Sequence, residues 1–219
     1  PDINKLAEFQ QQGIRIIQDS AQSFGSDYNQ QKVGSIKHVD ICCVSFNPVK
    51  NLGAMGDAGC VLGKKDLVER ARMFRDHGRR KKFLYEEVGY NCRIDNMQAV
   101  VVQAKLPYLD NWIKGKDRVC RRYNQELADV VTVPKITPWS THCWYVYVIM
   151  CKDRDGLQQH LKNKGIGTNI HYPNPVHLNP AYKQFAKNPL PNTEHAAKSI
   201  LSLPCYHNLS EQDQTYIIE

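Results

Sequence analysis

Short apolar runs, separated by polar turns that contain glycine, recur along the first half of the chain. The β-branched and apolar run at 39–44 (VDICCV) predicts a buried strand. The run at 14–17 (IRII) follows a helical pattern at 4–12 that Gly13 ends, and it predicts a second strand. A third strand is predicted at 59–63 (GCVLG). Strands that alternate with helices in this way are typical of α/β folds.

The rest of the chain is mostly helical in pattern. We expect helices at 66–74, 95–104, 112–127, 156–164 and 193–201, and strands at 144–150 and 166–172. Asp95 and Gln98 have the spacing of a capping box, which predicts that their side chains bind the first turn of a helix. The mixed pattern of the last third is typical of a small α+β domain.

The segment at 45–59 reads SFNPVKNLGAMGDAG and carries a single lysine. Pro48 ends the preceding strand, so Lys50 lies at a corner between strand and loop. The glycines that follow permit close approach of a ligand or of another chain. A lysine beside an apolar strand end is poorly solvated, which favours a Schiff-base role. Considered alone, Lys50 reads more readily as an ordinary solvated loop lysine, since most lysines are solvated.

A second segment, IRIIQDSAQSFGSDY at 14–28, places Asp19 at the carboxyl end of a predicted strand. Open α/β sheets bind their ligands at that end. Pyridoxal 5'-phosphate (PLP) requires a lysine for its covalent link and an acid beside its pyridine nitrogen. Lys50 and Asp19 are therefore candidate cofactor residues, although Asp19 alone could be a capping aspartate.

Together these two segments resemble the signature of the DegT/DnrJ-type sugar aminotransferases, within the aspartate-aminotransferase fold. The resemblance continues through GYNCRIDNMQA at 89–99, NIHYPNPVHLNPAY at 169–182 and SILSLPCY at 199–206, and covers essentially the whole chain. It implies an α/β fold of the PLP-dependent fold type I, with a three-layer α/β/α large domain and a small α+β C-terminal domain. Residues 1–128 would be part of the PLP-binding large domain, and 129–219 the small domain.

The resemblance also implies that this sequence is an internal segment of a longer enzyme. The N-terminal third of the large domain would lie outside it, and the end of the small domain would be truncated. In the family, that third supplies the phosphate-binding helix N-terminus and the aromatic ring that stacks on the cofactor. We therefore expect residues 1–219 expressed alone to be poorly soluble or partly unfolded, and inactive.

The resemblance assigns a cofactor role to five residues. Lys50 matches the lysine that binds the cofactor covalently and moves the proton at the substrate carbon. Asp19 matches the acid at the pyridine nitrogen, Gln22 the residue beside the 3-hydroxyl, and Ser45 a phosphate-binding hydroxyl. Asn91 matches an asparagine that reaches the cofactor phosphate of a neighbouring subunit, which implies a homodimer with shared active sites. Without the family, Gln22 reads as a solvated glutamine at a helix start, Ser45 as a serine that caps a turn, and Asn91 as a turn residue after Gly89.

Three further residues match positions near the substrate. His171 and Tyr172 match a corner near the sugar and its diphosphate, although a buried structural histidine is a comparable interpretation. Asn47 occupies a position that usually holds tyrosine or histidine, so substrate preference is open at that point.

The activity implied is transfer of an amino group, with glutamate as the expected donor, to a nucleotide-diphosphate sugar carrying a keto group. The motifs most resemble members that act at carbon 3 of a 3-keto-6-deoxyhexose and yield an amino sugar. The alternatives are a 4-keto sugar aminotransferase and a non-catalytic regulatory relative. The latter would be expected to lack Lys50 or Asp19, and this sequence has both.

The net charge of the chain raises the alternative of a nucleic-acid-binding protein. The 219 residues carry a net charge of +7, and the basic run at 79–82 (RRKK) could bind an anion. No nucleic-acid recognition motif accompanies it, and a sugar diphosphate is anion enough to account for a local basic cluster.

Cysteine and histidine usage point to no metal site. The eight cysteines form no CxxC pair, and the eight histidines show no ligand spacing. Scattered cysteines with apolar neighbours indicate reduced thiols, and hence a cytoplasmic protein. No apolar run approaches the roughly 20 residues of a membrane span, so no membrane association is expected.

Overall fold

The computed structural model describes residues 2–219 and divides into two compact units. Unit 1 comprises the chain up to Ile113 together with Ile136–Tyr145, and unit 2 comprises Lys114–Lys135 together with Val146–Glu219. The first division thus falls within a long helix, earlier than the predicted boundary at 128/129. That boundary stays a prediction.

Unit 1 contains the strands predicted at 39–44 and 59–63 and two short hairpins, whereas the strand predicted at 14–17 begins only at its last residue and runs to Asp19. Its elements, in chain order, are α1 (Ile3–Gln11), β1 (Ile17–Asp19), β2 (Asp27–Tyr28), β3 (Gln31–Lys32), β4 (Ile41–Ser45), β5 (Gly59–Gly63), α2 (Lys65–Phe74), β6 (Arg79–Lys81), β7 (Leu84–Tyr85), α3 (Asn96–Lys105) and the start of α4 (Leu109–Glu126).

A three-stranded sheet in the order β1-β4-β5 positions the candidate cofactor residues of unit 1. β1 and β4 are parallel, with Asp19 opposite Cys43, whereas β4 and β5 are antiparallel. Cys42 and Val44 point into the core, which explains why an apolar run forms the central strand. Because β1 and β4 run in the same direction, their carboxyl ends, at Asp19 and Ser45, lie at the same edge of the sheet.

Asp40 anchors the entry to β4. One of its carboxylate oxygens accepts hydrogen bonds from the Ile16 amide (2.8 Å) and the Gln10 amide group (3.1 Å). The other faces Arg15 (3.3 Å) and Lys64. The Asp40 side chain is 1% exposed, and the Ile16 N–H and the Lys64 ammonium hold its pKa well below the usual range.

Unit 2 pairs one small antiparallel sheet with helices. After α4, its elements are β8 (Tyr147–Met150), α5 (Arg154–Asn163), α6 (Pro191–Ser199), β9 (Ile200–Leu203) and α7 (Glu211–Ile218). β8 and β9 pair with Tyr147 opposite Leu203. The side chains of Tyr123 and Tyr147 pack at 5.0 Å between ring centroids, and both are buried.

Two sequence predictions in unit 2 are wrong. The segment predicted as a strand at 166–172 makes only an isolated bridge, between Asn169 and Ser202. The helix predicted at 193–201 ends at Ser199, because the apolar run that follows forms β9 and pairs with β8. An apolar run next to a helix can continue it or form a strand, and here the available strand partner decides.

The described residues include neither a candidate membrane-spanning helix nor a candidate cluster of metal ligands. Within residues 2–219, no helix has the length and apolar character needed to cross a bilayer. Over the same part of the chain, no group of three or more histidine, cysteine, aspartate or glutamate side chains is arranged to hold a metal ion.

Candidate active site

Lys50 lies in the loop that leaves β4. The backbone turns at Pro48, and the Lys50 amide donates to the Asn47 carbonyl at 2.9 Å. The side chain is half-buried, and its Nζ lies 4.4 Å from the centroid of the Tyr145 ring. An ammonium over an aromatic face at this distance is a cation–π contact. The structure therefore gives Lys50 a defined partner instead of open solvent.

The loop around Lys50 is folded tightly on itself. The Ala54 amide donates to the Phe46 carbonyl at 2.8 Å, and Lys105 of α3 donates to the Gly53 carbonyl at 2.6 Å. A Cβ atom at Gly53 would lie 2.4 Å from the Pro48 carbonyl oxygen, so no other residue fits there without a backbone shift. The glycines thus permit close packing within the loop itself. From the sequence alone, they indicate close approach of a ligand or of another chain.

Gln98 supports the same loop, and its predicted role in a capping box is wrong. The side chain of Asp95 makes no capping hydrogen bond at the start of α3. Gln98 instead accepts a hydrogen bond from the Met55 amide at 2.8 Å. An amide side chain at that position fits a cap or a distant loop equally well, so sequence spacing alone does not distinguish them.

The segment that carries Tyr145 is held in place by the residue next to Lys50. Asn51 donates from its side chain to the Cys143 carbonyl at 2.9 Å, and the Cys143 amide donates to the Ser26 hydroxyl at 3.0 Å. Trp144, which lies between Cys143 and Tyr145 in the sequence, is 1% exposed. These contacts fix the Tyr145 ring relative to Lys50. Sequence reasoning missed Tyr145, because no motif or periodicity relates it to a lysine so distant in the chain.

Asp19 ends β1 beside the end of β4. One of its carboxylate oxygens accepts from the Ala21 amide at 3.0 Å, and the rest of the side chain is exposed. Asp19 and Lys50 therefore follow the ends of two adjacent parallel strands, as predicted from their positions in the sequence. Gln22 is also exposed in the turn after β1, and its carbonyl accepts from the Cys143 thiol at 3.1 Å.

Ser45 and Asn47 make local bonds within the loop. The Ser45 hydroxyl accepts from the Asn47 amide at 3.2 Å. The Asn47 side chain donates to Asp57 at 2.7 Å and accepts from the Val49 amide at 3.2 Å. Asn47 thus shapes the loop in this structure, and its predicted substrate contact stays a prediction.

Asn91 is exposed in unit 1, in the segment that follows the β6–β7 hairpin. It forms a bridge with Asp76, and its side chain accepts from Arg93 at 3.3 Å. Asp76 also binds Arg79 at 2.8 Å, and this contact lowers the pKa of the Asp76 carboxyl. The exposed position of Asn91 is the one that a contact with another chain would require.

His171 and Tyr172 belong to unit 2. The ring of His171 is held by the Ser202 hydroxyl at 2.8 Å and the Asn169 side chain at 3.3 Å. Tyr172 is exposed, and its ring meets that of His171 edge-on at 5.5 Å. A histidine held by β9 in this way is oriented, which is compatible with both interpretations given for it above.

The groups at the sheet edge of unit 1 fit PLP chemically. They comprise an amine at Lys50, a carboxylate at Asp19 and a hydroxyl at Ser45. These are the donor types that bond the aldehyde, face the pyridine nitrogen and bind the phosphate. Such a set can perform covalent catalysis and proton transfer.

Comparison with known proteins also relates this chain to aminotransferases. The family model described as "DegT/DnrJ/EryC1/StrS aminotransferase family" matches residues 1–219. The chain is 36% identical over 224 residues to the dTDP-3-amino-3,4,6-trideoxy-alpha-D-glucose transaminase of Streptomyces venezuelae, covering 100% of this chain and 59% of that protein. It is 38% identical over 211 residues to the erythromycin biosynthesis sensory transduction protein EryC1 of Saccharopolyspora erythraea, covering 94% and 57%.

Among solved structures, a DegT DnrJ EryC1 StrS aminotransferase from Brucella abortus superimposes on this chain with a TM-score of 0.93 and 35% sequence identity. The match covers 100% of this chain and 59% of that chain. The chain therefore spans less than two thirds of the length of each of these relatives.

Proposed function

The chain belongs to the DegT/DnrJ/EryC1/StrS aminotransferase family, and from this membership we propose that the whole protein transfers an amino group to a nucleotide-linked keto sugar. The predicted family is confirmed by the match over residues 1–219. The predicted α/β fold class of PLP-dependent transferases is confirmed by the superposition on a solved family member. Activity, substrate and partners are proposals for the whole protein.

The observation that carries the proposal is the placement of Lys50 and Asp19. Asp19 is the last residue of β1, and Lys50 lies in the loop after β4, which is adjacent and parallel to β1. A lysine and an acid at one edge of a sheet are the two groups that PLP chemistry cannot lack. A relative that only binds a ligand for regulation would need neither, so the pair favours catalysis.

Each residue then has a defined task. PLP, when bound, withdraws electrons from the carbon that carries the amino group. Lys50 would hold the cofactor covalently, and its free amine would move a proton at that carbon. Asp19 keeps the pyridine nitrogen protonated through the attraction between its carboxylate and the pyridinium charge. Ser45 is the proposed phosphate ligand and Gln22 the proposed neighbour of the 3-hydroxyl.

The proposed substrate is a nucleotide-diphosphate sugar with a keto group at carbon 3, and the proposed donor is glutamate. The name of the Streptomyces venezuelae relative places its amino group at carbon 3. The roles of Asn47, His171 and Tyr172 in sugar recognition stay predictions. The sugar and its nucleotide are to be identified by assay with candidate keto sugars.

We also propose that the enzyme is a cytoplasmic homodimer in which Asn91 reaches the partner's active site. Five exposed apolar side chains precede Asn91 in the sequence, and burying them against a second copy would be favourable. They are Phe83, Leu84, Tyr85, Val88 and Tyr90.

The experiment that tests the function uses the full-length protein with PLP, reduction by borohydride and peptide mapping. We expect the cofactor to be trapped on Lys50, and we expect Lys50→Ala to abolish both trapping and transamination. Lys32→Ala is the matched control, because Lys32 is an exposed lysine of the same unit that pairs with Asp110. Trapping on another lysine, or activity retained in Lys50→Ala, would overturn the proposal.

A further inference from the structure

Two cysteine thiols meet in unit 2, among residues that have no role in the proposed reaction. Cys120 lies in α4 and is fully buried, and Cys205 follows β9. Their Sγ atoms are 3.1 Å apart. A disulfide has an S–S distance of about 2.03–2.05 Å, so a bond would require a movement of about 0.5 Å by each sulfur.

The backbone segments that carry the two thiols are already held together. The Tyr123 hydroxyl of α4 donates to the Pro204 carbonyl at 3.1 Å, and Arg118 donates to the Leu209 carbonyl at 3.3 Å. The Gln214 side chain of α7 donates to the Val119 carbonyl of α4 at 2.7 Å. The proximity of the thiols is therefore fixed by contacts on both sides of the pair, and not by the cysteines alone.

The two thiols differ in reactivity. Burial raises the pKa of Cys120 strongly, which keeps it protonated. The hydrogen bond between the two thiols, together with the charge of Lys116 one turn before Cys120 in α4, lowers the pKa of Cys205. Cys205 is also partly exposed. An accessible thiol with a lowered pKa is the one that reacts first with an oxidant, and its buried neighbour is placed to complete the bond.

We propose that Cys120 and Cys205 form a site of reversible disulfide modification, oxidised by a small-molecule disulfide of the glutathione type. The Cys205 thiolate attacks one sulfur of the oxidant, so that a mixed disulfide forms and one thiolate leaves. The Cys120 thiol gives its proton to that thiolate, and its sulfur attacks Sγ of Cys205. The second thiolate of the oxidant leaves and takes up the proton lost by Cys205. The two protein thiols thus lose two electrons and two protons, and the oxidant gains both.

The product links α4 covalently to the segment after β9. A cross-link between residues far apart in the sequence stabilises a protein mainly by restricting the unfolded chain. We expect the midpoint of thermal unfolding to rise by about 5–10 °C on oxidation and to return when dithiothreitol is added.

The test treats the full-length protein with oxidised glutathione, blocks the remaining thiols with iodoacetamide and analyses the peptides by mass spectrometry. We expect a linked peptide pair containing Cys120 and Cys205, lighter by two hydrogens, that dithiothreitol separates. Cys120→Ser should accumulate a glutathione adduct on Cys205, because the second step is blocked. Cys151→Ser, which removes another partly exposed thiol of unit 2, is the matched control and should form the link normally.

Two results would overturn the proposal. The first is alkylation of both cysteines in the wild-type protein after oxidation. The second is a stable glutathione adduct on wild-type Cys205 with no disulfide between Cys120 and Cys205. Both are read on the wild-type protein, so the conclusion does not depend on whether a variant folds.

Discussion

The contacts of Asp40 lead to a quantitative prediction about stability. Asp40→Asn keeps the size of the side chain but removes its charge and turns an amide N–H₂ towards neighbouring donors. One oxygen position receives the Ile16 amide and Gln10, and the other receives Arg15 and Lys64. An asparagine can satisfy only one of these two sets.

The cost can be worked from the exposure of each partner. Arg15 is 64% exposed and Lys64 is 44% exposed, so both regain water, and each ion pair contributes about 0–1 kcal/mol. A buried donor that loses its acceptor costs about 1–3 kcal/mol. Together the two ion pairs and the one lost buried hydrogen bond predict that Asp40→Asn lowers the free energy of unfolding by about 1–5 kcal/mol.

Urea unfolding at neutral pH, followed by circular dichroism, measures this difference. Asp110→Asn is the matched control, since it breaks an exposed ion pair with Lys32 and should change the free energy by less than about 0.5 kcal/mol. If Asp40→Asn were as stable as Asp110→Asn, the assignment of Asp40 as a stabilising anchor would be wrong.

The pH dependence provides a second measurement of the same residue. The pKa of Asp40 is lowered in the folded state, so the unfolded chain takes up the proton first as the pH falls. The contribution of Asp40 is therefore complete above about pH 4 and decreases below it, by at most about 1.4 kcal/mol per pH unit. Asp40→Asn should show a shallower loss of stability on acidification, and parallel curves for the two proteins would contradict the reasoning.

Three further predictions concern the candidate site. Asp19→Asn should retain covalent trapping of the cofactor on Lys50 but slow transamination by about 100-fold or more, because the pyridine nitrogen loses its partner; turnover near that of the wild type would remove Asp19 from the mechanism. A one-to-one mixture of inactive Lys50→Ala and inactive Asn91→Ala chains should recover roughly a quarter of the wild-type activity, since half of the dimers would then contain one intact site. No recovery after proven subunit exchange would indicate sites built within one chain. Because the Lys50 ammonium lies over the Tyr145 ring, the NMR signal of ¹³C-methylated Lys50 should be shifted upfield. Tyr145→Phe keeps an aromatic ring and should preserve this shift, whereas Tyr145→Leu should remove it. A shift unchanged in Tyr145→Leu would show that the contact does not exist in solution.

The sequence predicted the sheet edge well, because the signals there are local. β4 is an apolar and β-branched run that Pro48 terminates, and β5 lies at the predicted residues. The placement of Asp19 at the end of a strand follows from a pattern only a few residues long. Local signals of this kind are sufficient when each element is bounded by a proline or a glycine.

Contacts between distant segments could not be predicted from the same information. Gln98 binds the Met55 amide, and Tyr145 lies under Lys50, although neither pairing has a sequence signature. The end of α6 depended on β8, which the apolar run of β9 could not reveal by itself. Tertiary partners decide such cases, and local preference only limits the choices.

Helix α3 lies between the candidate site and the proposed contact with a second subunit. Through Lys105 and Gln98, this helix binds the loop of Lys50 at Gly53 and Met55. The same helix begins a few residues after Asn91, the proposed contact with a second subunit. Subunit association and cofactor binding would therefore act on one rigid element, and each would change the affinity of the other by the same factor. At low concentrations the enzyme would then gain its cofactor as it dimerises, and it would lose both together on dilution.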